Sequence, residues 1–210
     1  MGYILKKIIS PLDTYRQIQV NGGLLIFVKG LLKRPYYWFL QRLFHFDKWH
    51  TMPIEHRPYA LELCRYVNEL IEKEGLENVV EIGCGLGEIL ARIKVGQRIG
   101  FDVEENVIRA GRAINKTIEF HTGTFGDVRG RDIDVLIAVN FTHNIAPDEL
   151  QRQFTEVLLN NKVKFIVVDS VAYKYFHDFG KLFGDKCEKV WQSREFEHKR
   201  TVQVYRNVRL

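Results

Sequence analysis

The stretch that decides the fold runs Val79-Val80-Glu81-Ile82-Gly83-Cys84-Gly85-Leu86-Gly87-Glu88. A short apolar run that includes β-branched residues is typical of a buried strand, and the glycines that follow it permit a tight turn. Glycines also let a ligand approach bare backbone N–H groups where a helix begins. The stretch therefore predicts a strand, a ligand-binding loop and a helix in succession.

Strand-like and helix-like patterns alternate along the chain from this loop outward. Helical spacing predicts helices from residue 58 to a stop at 75 and over 88–95, 104–114, 147–159 and 172–183. Apolar runs predict strands over 79–82, 98–101, 117–121, 133–139 and 164–169, and then 188–196 and 201–209 joined by a polar turn. This alternation predicts an α/β fold: a doubly wound, seven-stranded, mostly parallel sheet with an antiparallel final hairpin.

The spacing of the glycines discriminates between ligands. A dinucleotide-binding loop reads GxGxxG, whereas here the glycines stand at 83, 85 and 87 and are followed by Glu88. A carboxylate at that point would repel a pyrophosphate. The strand-borne Glu81 suits a cationic ligand instead, and a glycine turn that binds nothing remains the alternative.

The pattern Glu81-x-Gly83-x-Gly85-x-Gly87 resembles motif I of the class I S-adenosylmethionine (SAM)-dependent methyltransferases. The resemblance continues to Asp102, at the end of the second predicted strand, and through Asp134-Val-Leu-Ile-Ala-Val-Asn140. It covers residues 57–210 and implies a Rossmann-like catalytic domain there, with SAM as the cofactor and methyl transfer as the activity.

The resemblance also implies roles for individual residues. The glycines would let the backbone approach the cofactor, Glu81 would face the methionyl amine through water, and Asp102 would accept the ribose hydroxyls or cap the next helix. The position expected to hold an acid near the adenine holds Thr124 instead, and Phe125 would cover the adenine or pack in the core. The implied cofactor-binding set is Glu81, Gly83, Cys84, Gly85, Gly87, Asp102, Thr124, Phe125 and Asn140.

The acceptor is expected at the carboxyl end of the fourth strand, a favoured ligand position in open α/β sheets. That segment reads Asn140-Phe141-Thr142-His143-Asn144, and it lacks the signatures for methylating base amines or cytosine C5. His143 is the candidate general base because its unperturbed pKa is near 6.5; packing against the following helix is the alternative.

No metal site is predicted. Asn140 stands where metal-dependent catechol-type relatives have an acid, and the pattern His45-x-Asp47-x-x-His50 follows no strong spacing rule for a metal.

The basic charge of the chain lies at its N-terminus. The net charge of the 210 residues is +5, yet residues 1–50 hold eight Lys and Arg and two acids, which leaves the remainder at −1. Aromatic residues are interleaved with these bases. Residues 1–56 are therefore predicted to be a helical extension that serves as a membrane-surface segment, a lid over the acceptor, an RNA clamp or a helical cap on the sheet domain.

The combined hypothesis is a SAM-dependent methyltransferase that modifies a small-molecule or carrier-linked acceptor at oxygen or nitrogen, with sugars and lipid-linked glycans among the candidates. An RNA methyltransferase and a non-catalytic cofactor-binding protein are the alternatives, and the near-neutral catalytic domain argues against nucleic acid. The residues predicted to bind the acceptor are His45, Trp49, His50, Arg57 and Phe141.

Cysteine content and hydropathy indicate the compartment. Three scattered cysteines predict no disulfide partners. No signal peptide is recognised, and the longest apolar stretch, 24–40, is interrupted by Lys29, Lys33, Arg34 and Pro35. We therefore expect a cytoplasmic protein, with peripheral membrane contact through residues 1–50.

Overall fold

The computed structural model describes residues 23–209, and the predictions for residues 1–22 lie outside this part. Seven strands form one sheet: β1 Asn78–Ile82, β2 Gln97–Asp102, β3 Glu119–Thr122, β4 Asp132–Ala138, β5 Lys162–Ser170, β6 Cys187–Gln192 and β7 Thr201–Asn207. The α-helices are α1 Leu24–Phe44, α2 Pro58–Glu74, α3 Glu105–Ile114, α4 Pro147–Asn160 and α5 Phe179–Phe183.

The strand order is β3-β2-β1-β4-β5-β7-β6. Strands β1 to β5 pair in parallel, and β7 runs antiparallel between β5 and β6. This arrangement confirms the predicted α/β, doubly wound, seven-stranded fold and its antiparallel hairpin. The strand order reverses between β1 and β4, and ligands bind at the carboxyl ends of strands beside such a switch point.

Both faces of the sheet are buried because the side chains of each strand alternate between two cores. On β1, Val79 joins the core that contains Leu63 and Val67 of α2, whereas Val80 joins the core that contains Phe154 of α4. These two cores hold the central strands rigidly, so the loops at their carboxyl ends start from fixed positions.

The local sequence sets the bounds of α2. Pro58 occupies its first turn, where the missing N–H costs nothing. Gly75 ends it in the left-handed conformation, with φ 63°, and donates its N–H to the carbonyl of Ile71. Its buried stripe follows helical spacing: Tyr59, Ala60, Leu63, Cys64, Val67, Leu70 and Ile71.

The helix predicted over 88–95 is wrong. After the glycine loop the chain forms turns and a single 3₁₀ segment, Leu90–Arg92, before β2 begins at Gln97. Gly87 has φ 75°, which a right-handed helix does not allow, and Ile93 is already extended. The connection is too short to hold a regular helix and still return to the sheet.

Two further boundaries differ from the prediction by more than two residues. The helix predicted over 172–183 is only α5, which begins after Asp178, whose side chain accepts the N–H of Lys181. Strand β6 ends at Gln192 rather than at residue 196. The N–H of Val202 donates to Ser193 Oγ, whereas in a continuing strand it would donate to a backbone carbonyl.

Helix α1 packs along one side of the domain. Tyr37 and Leu40 form a small core with Phe46 and with Val107 of α3. Gly30 is buried against the ring of His56, so no larger residue fits there. Among residues 23–209, no helix is long and apolar enough to cross a membrane.

Candidate active site

The candidate site lies at the carboxyl edge of the sheet, at the switch point. Glu81 occupies the central strand β1, paired with Gly100 of β2 on one side and Ile137 of β4 on the other. Asp102 ends β2, and Asn140 follows β4. The topology therefore brings together residues that are up to sixty positions apart in the sequence.

The glycine loop has the backbone conformation that its composition predicts. Gly83, Gly85 and Gly87 have φ values of 72°, 53° and 75°, a left-handed region that other residues enter at a cost. Gly83 and Cys84 both donate their N–H to the carbonyl of Phe101, which ties the loop to β2.

Two aromatic rings lie directly against this loop. A Cβ on Gly83 would lie 2.5 Å from the ring of Phe141, and a Cβ on Gly85 would lie 2.6 Å from Nδ1 of His50. Both rings belong to residues that the sequence analysis assigned to the acceptor. Because the glycines have no side chains, these two rings of the protein can approach the backbone of the loop closely.

Glu81 is a buried carboxylate with an unused oxygen. The side chain is 3% exposed, and its Oε2 has no hydrogen-bond partner. Burial raises its pKa well above the usual value, although the charge of Arg57 and a backbone N–H of Leu90 act in the opposite direction. A ligand cation placed here would supply the missing partner for the carboxylate.

Asp102 is held by the backbone on both oxygens. Its Oδ2 accepts the N–H of Gly85 at 2.9 Å, and its Oδ1 accepts the N–H of Glu104 at 3.0 Å. The second bond supports the capping role, and the first links the carboxylate to the glycine loop. Each oxygen keeps a further lone pair for a ligand hydroxyl.

Thr124 and Phe125 follow β3. Thr124 forms a capping box with Asp127, whose Oδ2 accepts the Thr124 N–H at 2.8 Å. Phe125 is 2% exposed and contacts the rings of Phe141 and Phe154. Phe125 thus lies in the core next to the ring that covers Gly83.

Glu88 connects the glycine loop to the N-terminal segment, a role that the sequence analysis missed. Its Oε1 accepts the hydroxyl of Tyr37 at 2.7 Å and the N–H of Ile54 at 3.1 Å, and its Oε2 accepts Arg57. Burial and the charge of Glu88 raise the pKa of Tyr37, so the phenol remains a donor. Local sequence carries no signal for this cluster, since its members are 31 to 51 residues apart.

His143 lies in a short 3₁₀ segment after β4 and is buried. Its Nδ1 is buried without a partner, its Nε2 lies 3.3 Å from the Asn144 amide, and Tyr173 meets the ring edge-on at 5.3 Å. Burial lowers the pKa of His143, although Asp169 opposes the shift. The imidazole is therefore neutral at pH 7 and able to accept a proton.

Asn140 has φ 71°, an uncommon conformation for a residue other than glycine. Its N–H donates to Asp169 Oδ1 at 2.8 Å, and its Oδ1 accepts Arg200 Nη1 at 3.1 Å. Arg200 also pairs with Asp169, which is fully buried, and stacks over the ring of Tyr59 at 4.2 Å. This cluster fixes the turn that carries Phe141 and His143, and the sequence analysis missed Arg200 in it.

The remaining residues that were predicted to bind the acceptor or the cofactor differ in their contacts and exposure. Arg57 is brought to the site, since it pairs with Glu88 and its charge acts on Glu81. His45 is exposed at the end of α1, and Trp49 is 80% exposed. Cys84 is buried, which raises its thiol pKa well above the usual value and makes it a poor nucleophile.

Two further findings concern metals and thiols. Within residues 23–209, no group of three or more His, Cys, Asp or Glu side chains could hold a metal ion. The cysteines Cys64, Cys84 and Cys187 are all free thiols.

Solved methyltransferase structures are similar to this chain. The magnesium protoporphyrin IX methyltransferase of Synechocystis PCC 6803, solved with bound SAM, aligns over 85% of this chain and 96% of its own, with 15% identity and a TM-score of 0.60. The N-methyltransferase NodS of Bradyrhizobium japonicum WM9 aligns over 71% and 97%, with 12% identity and a TM-score of 0.60.

A SAM-dependent methyltransferase from Clostridium acetobutylicum aligns over 69% of this chain and 90% of its own, with 10% identity and a TM-score of 0.55. The chain has the fold of the SAM-dependent methyltransferases. No protein-family model and no curated protein matches the sequence. The resemblance carried by motif I is thus confirmed for the fold, and within this methyltransferase fold Glu81 and Asp102 lie at the ends of adjacent strands.

Proposed function

We propose that the protein is a SAM-dependent methyltransferase. The observation that carries the proposal is Glu81, a buried carboxylate with an unpartnered oxygen beside a left-handed glycine loop. Burying a carboxylate without a hydrogen-bond partner or counter-charge costs free energy, and such a group is retained where a bound cation supplies that partner. The methionyl ammonium of SAM is such a cation.

The residues present fit this cofactor. Gly83, Gly85 and Gly87 offer backbone without side chains, Glu81 would hold the amine and Asp102 the ribose hydroxyls. The further contacts proposed are Cys84, Thr124, Phe125 and Asn140, as the resemblance implies. Since the rings of Phe141 and His50 contact Gly83 and Gly85, cofactor binding would replace these ring contacts.

Bound SAM would supply an activated methyl group, and the protein would align the acceptor and take up its proton. His143 is the proposed general base because it is neutral at pH 7 and its Nδ1 is unpartnered. For Nδ1 to accept a proton, Nε2 must carry one, and the Asn144 amide, whose Nδ2 lies 3.3 Å from Nε2, must then turn its oxygen to that nitrogen. Asp169 and Arg200 hold the preceding turn and so fix the position of this base.

The proposed acceptor is a small molecule or a carrier-linked molecule, modified at oxygen or nitrogen, and a sugar is among the candidates. The support is that the segment after β4 carries a histidine base in place of a base-amine or cytosine motif. The acceptor would lie beside Phe141 and Arg57, with the segment 45–50 next to it, in a protein located in the cytoplasm.

The experiment that tests the proposal is methyl transfer from radiolabelled SAM, with purified protein and acceptors supplied as separate water-soluble and organic-solvent extracts of cells. Transfer that requires the wild-type protein and is lost in His143→Ala supports the proposal. If SAM binds but no extract is methylated, the protein is a cofactor-binding protein without catalysis. If SAM does not bind, the assignment is wrong.

A further inference from the structure

Helix α1 presents an apolar face to solvent. Six large residues recur along it at intervals of three or four positions, which is the spacing of one helical face. We call this set the outer face: Leu25, Val28, Leu32, Tyr36, Phe39 and Leu43. Leu25 is 87% exposed, Leu32 75% and Phe39 59%, so the domain does not cover this face.

The opposite side of α1 explains why the outer face stays exposed. Gly30, Tyr37 and Leu40 are the buried residues of the helix. Tyr37 is bonded to Glu88, and Leu40 packs in the small core with Phe46. These contacts anchor one face of α1 on the domain, so the helix cannot turn its outer face inward without breaking them.

The charges around the outer face are all of one sign. Helix α1 contains Lys29, Lys33, Arg34 and Arg42 and no acidic residue. Lys33 pairs with Glu55, whereas Lys29, Arg34 and Arg42 are exposed. Lys29 and Arg42 flank the outer face, and Arg34 lies on the far side of the helix. A second copy of α1 packed on the outer face would bring bases against bases with no acid on either helix. An anionic surface would instead match both the apolar face and the charges.

Aromatic residues add to this pattern. Trp38 is 53% exposed and stacks with Arg42 at 3.8 Å, and Tyr36 lies on the outer face. Rings with a polar edge next to basic residues are typical of helices that lie in the headgroup layer of a bilayer. Among the described residues, no helix is long and apolar enough to span a membrane.

We propose that the outer face of α1 docks on the surface of an anionic lipid bilayer. The apolar side chains insert among the headgroups, and Lys29 and Arg42, which flank the outer face, contact lipid phosphates. The chain from the end of α1 leads to His50, which contacts Gly85, so docking holds the candidate active site near the bilayer. The docking surface itself does not depend on methyl transfer.

Sedimentation of the whole protein with vesicles tests the docking. The vesicles are phosphatidylcholine alone, or phosphatidylcholine with phosphatidylglycerol, each at low and high salt. The wild type should sediment with the anionic vesicles at low salt and dissociate as salt rises, because surface charges are screened over about 10 Å at 0.1 M salt. If it stays in solution with anionic vesicles at low salt, the proposal is wrong.

Matched variants locate the contact. Leu32→Asp with Phe39→Asp should weaken vesicle binding by about tenfold or more, whereas Leu159→Asp with Val208→Asp, also exposed, should not. Lys29→Gln with Arg42→Gln should cost about fivefold per charge, and Lys73→Gln with Lys181→Gln, both exposed bases, should cost much less. Equal losses in the outer-face and control pairs would overturn the assignment to α1.

Two further measurements separate the other outcomes. Sedimentation velocity without lipid should show that the wild type remains monomeric; self-association abolished by Leu32→Asp, without vesicle binding, would assign the outer face to a second copy and overturn the proposal. Titration with S-adenosylhomocysteine (SAH), the demethylated cofactor, should be unchanged in the outer-face variants. Vesicle binding by a protein that binds no SAH would refute the proposed function alone.

Discussion

The imidazole of His50 lies against the backbone of Gly85, so close that a Cβ on residue 85 would be 2.6 Å from Nδ1. This contact joins the segment after α1 to the glycine loop. It places a residue from outside the sheet domain over the backbone that the cofactor is proposed to use. The same position therefore tests both the loop conformation and the role of the N-terminal segment.

Gly85→Ala should destabilise the protein by about 1–3 kcal/mol, because an alanine at φ 53° is strained and its methyl group would meet His50. Thermal and denaturant unfolding measure this. In the double variant with His50→Ala the loss of stability should be smaller, because the steric clash with the imidazole is removed and only the backbone strain at residue 85 remains. Gly126→Ala is the control, because its Cβ would have no neighbour within 4 Å; an equal loss there would refute the explanation.

Glu88→Ala should destabilise the protein by about 3–5 kcal/mol, because it leaves the Arg57 guanidinium, which is only 19% exposed, without its carboxylate. The variant also removes the acceptor for Tyr37 and Ile54. Glu149→Ala breaks an exposed pair with Arg152 and should change stability by less than about 1 kcal/mol. Urea unfolding of both variants checks the contrast, and similar losses would contradict the structural role given to Glu88.

Glu81→Gln should stabilise the ligand-free protein more at pH 8 than at pH 5. Burial raises the pKa of Glu81 above its unfolded value, so between the two values the folded chain keeps a proton that the unfolded chain has released. Wild-type stability therefore falls as pH rises through this range, and a glutamine, which does not titrate, escapes the loss.

The readout for Glu81→Gln is the midpoint of thermal unfolding across this pH range without cofactor, with Glu188→Gln, an exposed carboxylate on β6, as the control. The same variant should bind SAH more weakly, since its neutral amide cannot hold the ammonium as a carboxylate does. A pH-independent difference would show that Glu81 is not the titrating group.

His143→Ala should reduce turnover by roughly 10²–10⁴-fold while leaving SAH affinity almost unchanged. In the wild type, activity should fall with decreasing pH as His143 gains a proton, with a midpoint below its usual pKa because burial disfavours the charged ring. The rate–pH profile of methyl transfer measures this. His198→Asn, in the exposed turn before β7, is the control. An unchanged rate in His143→Ala would show that the ring serves only in packing.

The sequence predicted the parts of the site that depend on local pattern. The glycine loop, Glu81 and Asp102 could be located because each lies at the end of a strand with a recognisable apolar run. The pairing of Arg200 with Asp169 could not be predicted, since the partners are 31 residues apart and nothing local specifies which distant polar groups meet.

The errors along the chain have similar physical causes. The helix predicted over 88–95 is absent because Gly87 adopts a left-handed conformation and β2 follows soon afterwards. The spacing of apolar residues, on which the prediction depended, contains neither piece of information. The acceptor role of Trp49, assigned from its nearness in sequence to the catalytic domain, stays a prediction for a side chain that is 80% exposed.

The central claim is that Glu81, the glycine loop and Asp102 bind SAM. Calorimetric titration of the purified protein with SAH, and separately with NAD, tests it most directly. The claim predicts binding of SAH that Asp102→Ala weakens by about 1–3 kcal/mol, the cost of lost hydrogen bonds to a charged group, and that Asp132→Ala, an exposed carboxylate at the start of β4, leaves unchanged. Tight binding of NAD with no heat from SAH would contradict it.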